Sequence, residues 1–164
     1  MSDTASIARP RLESTLRDLL KRWPVTTLLG PRQCGKTTLA RTLEVPASQY
    51  FDLEDPADEA RLGQNARGVL AALSGLVVLD EIQHRPDLLK LLRVLADRRG
   101  QPARFLLLGS ASPGLVRGVS ESLAGRTSYL EMGGFDFTEV GAERLNQLWW
   151  RGGLPPSFLA ASDA

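Results

Sequence analysis

The stretch that most restricts what this chain can fold into is GPRQCGKT, Gly30 to Thr37, which fits G-x-x-x-x-G-K-[ST] and lies between the apolar run VTTLL and what reads as a helix start. Each residue type in it has a physical reason. Gly30 and Gly35 let the backbone curl so that successive N–H groups point into one concavity, and a helix N-terminus behind them adds positive potential for a polyphosphate. Lys36 is placed to reach terminal phosphates, and the Thr37 hydroxyl to take one position on a magnesium ion. The expected nucleotide-binding residues are therefore Gly30, Pro31, Arg32, Gln33, Cys34, Gly35, Lys36, Thr37 and Thr38. Arg32 either touches phosphate or ties the loop to the sheet. Lysine is otherwise confined to Lys21 and Lys90, so an incidental lysine at this point is a poor explanation.

A loop of this kind needs a strand before it and a helix after it, and the chain alternates the two throughout. After a polar leader, Pro10 sits at a first-turn position and Leu12, Leu16, Leu19 and Leu20 form one stripe up to Trp23, predicting a helix ended by Pro24. VTTLL is the first strand and QYFDLE the second. Asp55 as N-cap, Pro56 at N1 and acidic Asp58 and Glu59 open one helix that carries Leu62, Val69, Leu70 and Leu73 and closes at Gly75. LVVLDEI is apolar without alternation, as in a parallel strand covered on both faces. Pro86 opens a helix with Leu88, Leu91, Leu92 and Leu95 that runs to Gly100. RFLLLGS is a fourth strand, LVRGVSESLAG a short helix and TSYLEM a fifth strand. The expectation is an α/β fold with a five-stranded parallel sheet and helices on both faces.

The third strand ends in Asp80-Glu81. This puts one carboxylate where it can hold a magnesium shell and the next where it can polarise a water, which is the general-base arrangement of an ATPase. The letters of a GTPase are missing: no Asn-Lys-x-Asp occurs, and DEIQ lacks the glycine of Asp-x-x-Gly. Cys34 is expected to be structurally tolerated, with a thiol that its place at a helix N-terminus near Lys36 makes reactive and that bound nucleotide protects. His84, the sole histidine, lies just ahead of Pro86 and reads as a helix-entry residue. No cluster with metal-ligand spacing supports a structural zinc.

Composition narrows the partners. With 20 Lys plus Arg against 19 Asp plus Glu, the overall field gives no support to nucleic-acid binding, though local patches stay open. One cysteine cannot form an internal disulfide, no apolar run reaches membrane-spanning length, and MSDTASIARP lacks the apolar core of a secretion signal. A cytoplasmic location without a membrane partner is the expectation. At 164 residues and 43% hydrophobic content the chain has material for one core.

Taken in order, GPRQCGKTTLAR, YFDLEDP, VVLDEIQHRPDLLKLLRVLAD, FLLLGSAS, SLAGR and WWRGGLPPSFLA resemble the AAA+-type P-loop ATPases of the AAA domain family fourteen, over most of the chain from Val25 onward. Cys34 is the most unusual letter, where relatives are expected to carry an aliphatic residue. The resemblance implies the strand order 5-1-4-3-2, with the fourth strand between the phosphate loop and the acidic pair. It implies that Ser110 is a sensor hydrogen-bonded to the terminal phosphate or the attacking water, a capping serine being the alternative. It also implies that Arg126, just before the fifth strand, is an arginine finger completing a neighbour's site, the alternative being an ion pair. The resulting site has Glu81, Ser110 and Arg126 as catalytic residues and Thr37 and Asp80 as magnesium ligands, with ATP and Mg2+ bound and a homo-oligomer formed in the nucleotide-bound state. Residues 1–24 would then be a polar leader and helix, 25–140 the ATPase core, and 141–164 the start of a C-terminal extension.

Such ATPases continue into a helical region and a further domain, whereas this sequence ends at FLAASDA. The pair Trp149 and Trp150 ahead of RGGLPP resembles the start of that continuation, so a shortened chain lacking the usual lid and second sensor is expected. Hydrolysis that drives a conformational change in an unidentified protein partner is the leading function. The alternatives are a nucleotide-dependent interaction module with little turnover and a small-molecule kinase, although no arginine-rich lid follows the fourth strand.

Overall fold

A computed structural model describes residues 7–100 and 102–162. Its strands are β1 (Val25–Leu29), β2 (Tyr50–Asp52), β3 (Leu76–Asp80), β4 (Arg104–Gly109) and β5 (Thr127–Glu131). They form one parallel sheet in the order β2-β3-β4-β1-β5, which is 5-1-4-3-2 read from the other edge. The helices are α1 (Pro10–Arg22), α2 (Lys36–Arg41), α3 (Pro56–Leu62), α4 (Ala66–Ala72), α5 (Asp87–Ala96), α6 (Pro113–Ser122), α7 (Phe137–Val140), α8 (Leu145–Arg151) and α9 (Pro155–Phe158).

Alternate residues of each strand serve opposite faces. Val25 and Leu29 of β1, Val77 and Leu79 of β3, and Phe105 and Leu107 of β4 join Leu62, Leu70, Leu88, Leu92, Leu115 and Val119, so α3 to α6 cover one face. Leu28, Val78, Leu106 and Leu108 join Leu16, Leu20, Leu39 and Cys34, so α1 and α2 cover the other. Two threonines in β1 are fully buried, and strand β5 supplies their partners. Ser128 Oγ donates to Thr26 Oγ1 at 3.1 Å, and Thr27 Oγ1 lies 3.0 Å from Thr127 Oγ1. Paired hydroxyls remove the cost of burying polar groups in a central strand.

One predicted helix is two. The stretch expected to run from Pro56 to Gly75 stops at Leu62, passes through a 3-10 turn at Gly63–Asn65 and restarts as α4. Asn65 caps the second piece by accepting from Gly68 N at 3.1 Å. The hydrophobic stripe continues across the break, with Leu62 and Leu70 in the same core, which is why periodicity alone missed it. QYFDLE likewise pairs over only Tyr50–Asp52. After β5 the chain folds back: Phe135, Val140 and Phe158 pack together against Ile7 and Leu148. The adjacent Trp149 and Trp150 are 88% and 77% exposed.

Candidate active site

Because β4 lies between β1 and β3, their C-terminal ends bring three sequence-distant segments together: the loop after Leu29, the pair Asp80-Glu81 and Ser110. In a parallel sheet this is the edge where ligands bind. The loop that leaves β1 is tightly built. Gly30 is needed for close approach, since a Cβ there would lie 2.1 Å from the carbonyl oxygen of Met132. Gln33 (φ 63°) and Gly35 (φ 99°) adopt left-handed backbone, which turns consecutive N–H groups the same way. Lys36 is 5% exposed and folds over the loop, donating from Nζ to Gly30 O at 3.0 Å and Pro31 O at 2.9 Å. Its ammonium is thus held over the loop by two neutral backbone carbonyls.

Asp80 is buried and accepts three hydrogen bonds: from Thr37 Oγ1 at 2.8 Å, from Tyr50 OH at 2.6 Å and from Glu81 N at 2.9 Å. Burial, reinforced by the Asp80 carboxylate, pushes the Tyr50 hydroxyl far above its ordinary range, so Tyr50 stays a donor that fixes Asp80. One hydroxyl and one carboxylate side by side are hard oxygen donors, the small protein-side set that Mg2+ favours while keeping waters and phosphate oxygens. Glu81 follows in left-handed backbone (φ 53°, ψ 46°), an uncommon conformation for a residue with a side chain that is concentrated at functional sites. Its carboxylate accepts from Gln83 Nε2.

Beside the loop lies a cavity of about 530 Å³ whose walls include Ile7, Gly35, Thr38, Met132, Phe135 and Leu159. Its volume suits a small organic ligand. Arg9 closes one side. Its side chain pairs with Glu139 at 2.6 and 2.9 Å, donates to Gly133 O and Gly134 O at 2.9 Å each, and reaches Cys34 O at 3.4 Å. This buried clasp fastens the start of α1, the loop after β1 and the segment after β5 to one another. Sequence patterning carries no sign of Arg9, whose carboxylate partner is 130 positions away. Tyr50 could have been found only with the β2-β3 pairing in hand.

Arg32 ties the loop to the segment after β2, donating to Glu54 Oε1 at 3.1 Å, and His84 meets the same oxygen at 3.2 Å. Ser110 sits half-buried at the tip of β4. Arg126 lies at the opposite end of the sheet, since its carbonyl accepts from Val25 N at the start of β1. The five residues of β1 therefore separate it from the loop by roughly 15 Å. Two hydrogen bonds of 2.7 Å clasp it to Asp97, and they hold that carboxyl below the usual range.

Cys34 corrects an expectation. Its side chain is 1% exposed and packed with the α1 face of the core, so the thiol is an apolar filler and not the reactive group its loop position suggested. A charged alkylating agent should leave Cys34 unmodified in the folded protein, with or without ATP, and label it rapidly in denaturant. Fast labelling under native conditions would show the loop to be open.

Comparison with known proteins agrees with this architecture. Residues 22–141 match a family described as AAA domain. Two uncharacterized proteins, from Mycobacterium bovis and Mycobacterium tuberculosis, are each 51% identical over 158 residues, 96% of this chain. The chain spans only 36% of the length of these relatives. Among solved structures, a Walker-type ATPase of Pyrococcus abyssi is similar with a TM-score of 0.62 at 16% identity, over 94% of this chain and 66% of that one. The Bacillus subtilis DNA clamp loader delta protein is similar with a TM-score of 0.50 at 16% identity, over 84% of this chain and 47% of that one. No helix among the described residues is long and apolar enough to cross a membrane. The chain therefore belongs to the AAA domain family and has the P-loop NTPase fold, which supports nucleotide binding and hydrolysis.

Proposed function

We propose that the chain binds ATP with Mg2+ and hydrolyses its terminal phosphoanhydride, and that this drives a conformational change in a protein partner. The observation that carries the proposal is the convergence of the Lys36 loop, the Thr37–Asp80 pair and Glu81 on one edge of the sheet. Phosphates would lie on the loop's N–H groups, with Lys36 exchanging the Gly30 and Pro31 carbonyls for phosphate oxygens. Thr37 and Asp80 would hold the magnesium ion, which when bound neutralises charge on the phosphates. Glu81 would take the proton of the attacking water, and Ser110 would orient that water or the terminal phosphate. The apolar cavity beside Thr38 would seat the base. Phosphate release with and without small-molecule acceptors tests the assignment: acceptor-independent release supports an ATPase, acceptor-dependent transfer a kinase, and tight binding without release an interaction module.

Arg126 would act on a neighbouring subunit's site in an assembled homo-oligomer, leaving Asp97 to do so. Its placement away from the chain's own loop favours this over a role in its own site. The rate per subunit should then rise with protein concentration. Arg126→Ala and Lys36→Ala, each hydrolysing ATP poorly alone, should recover activity when mixed. A mixture that co-assembles yet stays inactive would leave Arg126 as an ion-pair residue. A cytoplasmic location fits the single free cysteine.

A further inference from the structure

Among the described residues, Gln83 Oε1 is the buried side-chain polar atom without a hydrogen-bond partner. The other end of the same amide, Nε2, donates to Glu81 Oε2. A carboxylate only accepts, so this contact fixes which way the amide faces and turns its carbonyl inward. There the oxygen lies under the tip of β4, where a Cβ built on Gly109 would come within 2.9 Å of it and within 3.3 Å of Ile82 Cγ2. Ser110 is the next residue. An apolar side chain of similar length would suit this pocket better, because an unpaired buried carbonyl is unfavourable. What the glutamine supplies, and such a side chain would not, is the donor to Glu81.

Resting on the assignment of Glu81 as the base, we propose that Gln83 is the positioning residue of the hydrolytic site. Its N–H fixes the direction in which the Glu81 carboxylate faces. Its wedged carbonyl ties that direction to the tip of β4, so that Glu81 and Ser110 keep a constant separation across the place of the attacking water. The left-handed backbone at Glu81 sets where its side chain leaves the end of β3, but its torsions are free without a clasp. The side chain of Gln83 hydrogen-bonds to Glu81, so its role is confined to turnover.

The test is Gln83→Leu, which deletes donor and unpaired carbonyl together, with Gln83→Met as a second substitution of similar length. Affinity for a fluorescent ATP analogue should stay within about twofold of the parent, while kcat falls roughly tenfold to a hundredfold, the scale of a misplaced reacting group. The melting temperature should not fall, since a buried unpaired oxygen has been removed. In a Glu81→Gln background the same change should cost no more than about twofold, because there is no base left to position. A parent rate in Gln83→Leu beside an inactive Glu81→Gln overturns the role of Gln83 alone. Losses that multiply in the double variant also overturn it and make Gln83 a packing residue. A parent rate in Glu81→Gln removes the base assignment, and the Gln83 proposal with it.

Discussion

Lys36→Ala should weaken ATP binding by at least about a hundredfold. The ammonium is buried and already turned over the loop, donating to Gly30 O and Pro31 O, so its positive charge is held at the centre of the concavity before any phosphate arrives. Backbone carbonyls are weaker partners for an ammonium than phosphate oxygens, and the exchange favours the bound state. Hydrogen bonds to a charged group are worth about 1.5–3 kcal/mol each, so losing two such bonds to phosphate oxygens should weaken binding by roughly a hundredfold to ten-thousandfold. Titration of a fluorescent ATP analogue measures this. Lys36→Met, which keeps the length of the side chain over the loop, separates loss of charge from loss of packing and should bind as poorly as the alanine variant. An affinity within threefold of the parent for either variant would contradict the placement of phosphate on this loop.

Glu81→Gln should give the opposite division, with binding retained and hydrolysis lost. The side chain lies after β3 in a left-handed turn, while Thr37 and Asp80 are joined to each other independently of it. Its carboxylate, held by Gln83 and not by Thr37 or Asp80, should therefore act on water in the transition state without contributing to ground-state affinity. General-base catalysis contributes roughly a hundredfold to ten-thousandfold, and a carboxamide cannot take the proton. Single-turnover phosphate release beside a binding titration reads both quantities. Hydrolysis at the parent rate would move the base to another residue.

Strand segments and the glycine-rich loop were legible in the sequence because each has a local signature, unbroken apolar runs for buried parallel strands and fixed glycine and lysine spacing for the loop, whereas the sheet order came only from the family resemblance. Ordered family motifs supplied the position of β4. The site's supports were not legible, because they are contacts made only after folding. Arg9 pairs with Glu139 across almost the whole chain, Tyr50 meets Asp80 only once β2 lies beside β3, and Gln83 points under a strand that begins 21 residues later. Cys34 was misjudged for a related reason. Position in a loop says which backbone groups face a ligand, but the burial of the side chain depends on a core shared with Leu16, Leu20 and Leu39 that only folding assembles. Arg126 is the converse case, where an ion pair with Asp97 came from a helix end with no motif to announce it.

The site as a whole is tested most directly by a crystal structure with Mg2+ and a non-hydrolysable ATP analogue. Lys36 Nζ should have left the Gly30 and Pro31 carbonyls for the outer phosphates, the metal should bridge Thr37 and those phosphates with Asp80 in its shell, and the base should fill the cavity between Ile7, Thr38 and Leu159. A nucleotide bound elsewhere, with Lys36 still donating to the two loop carbonyls, would contradict it.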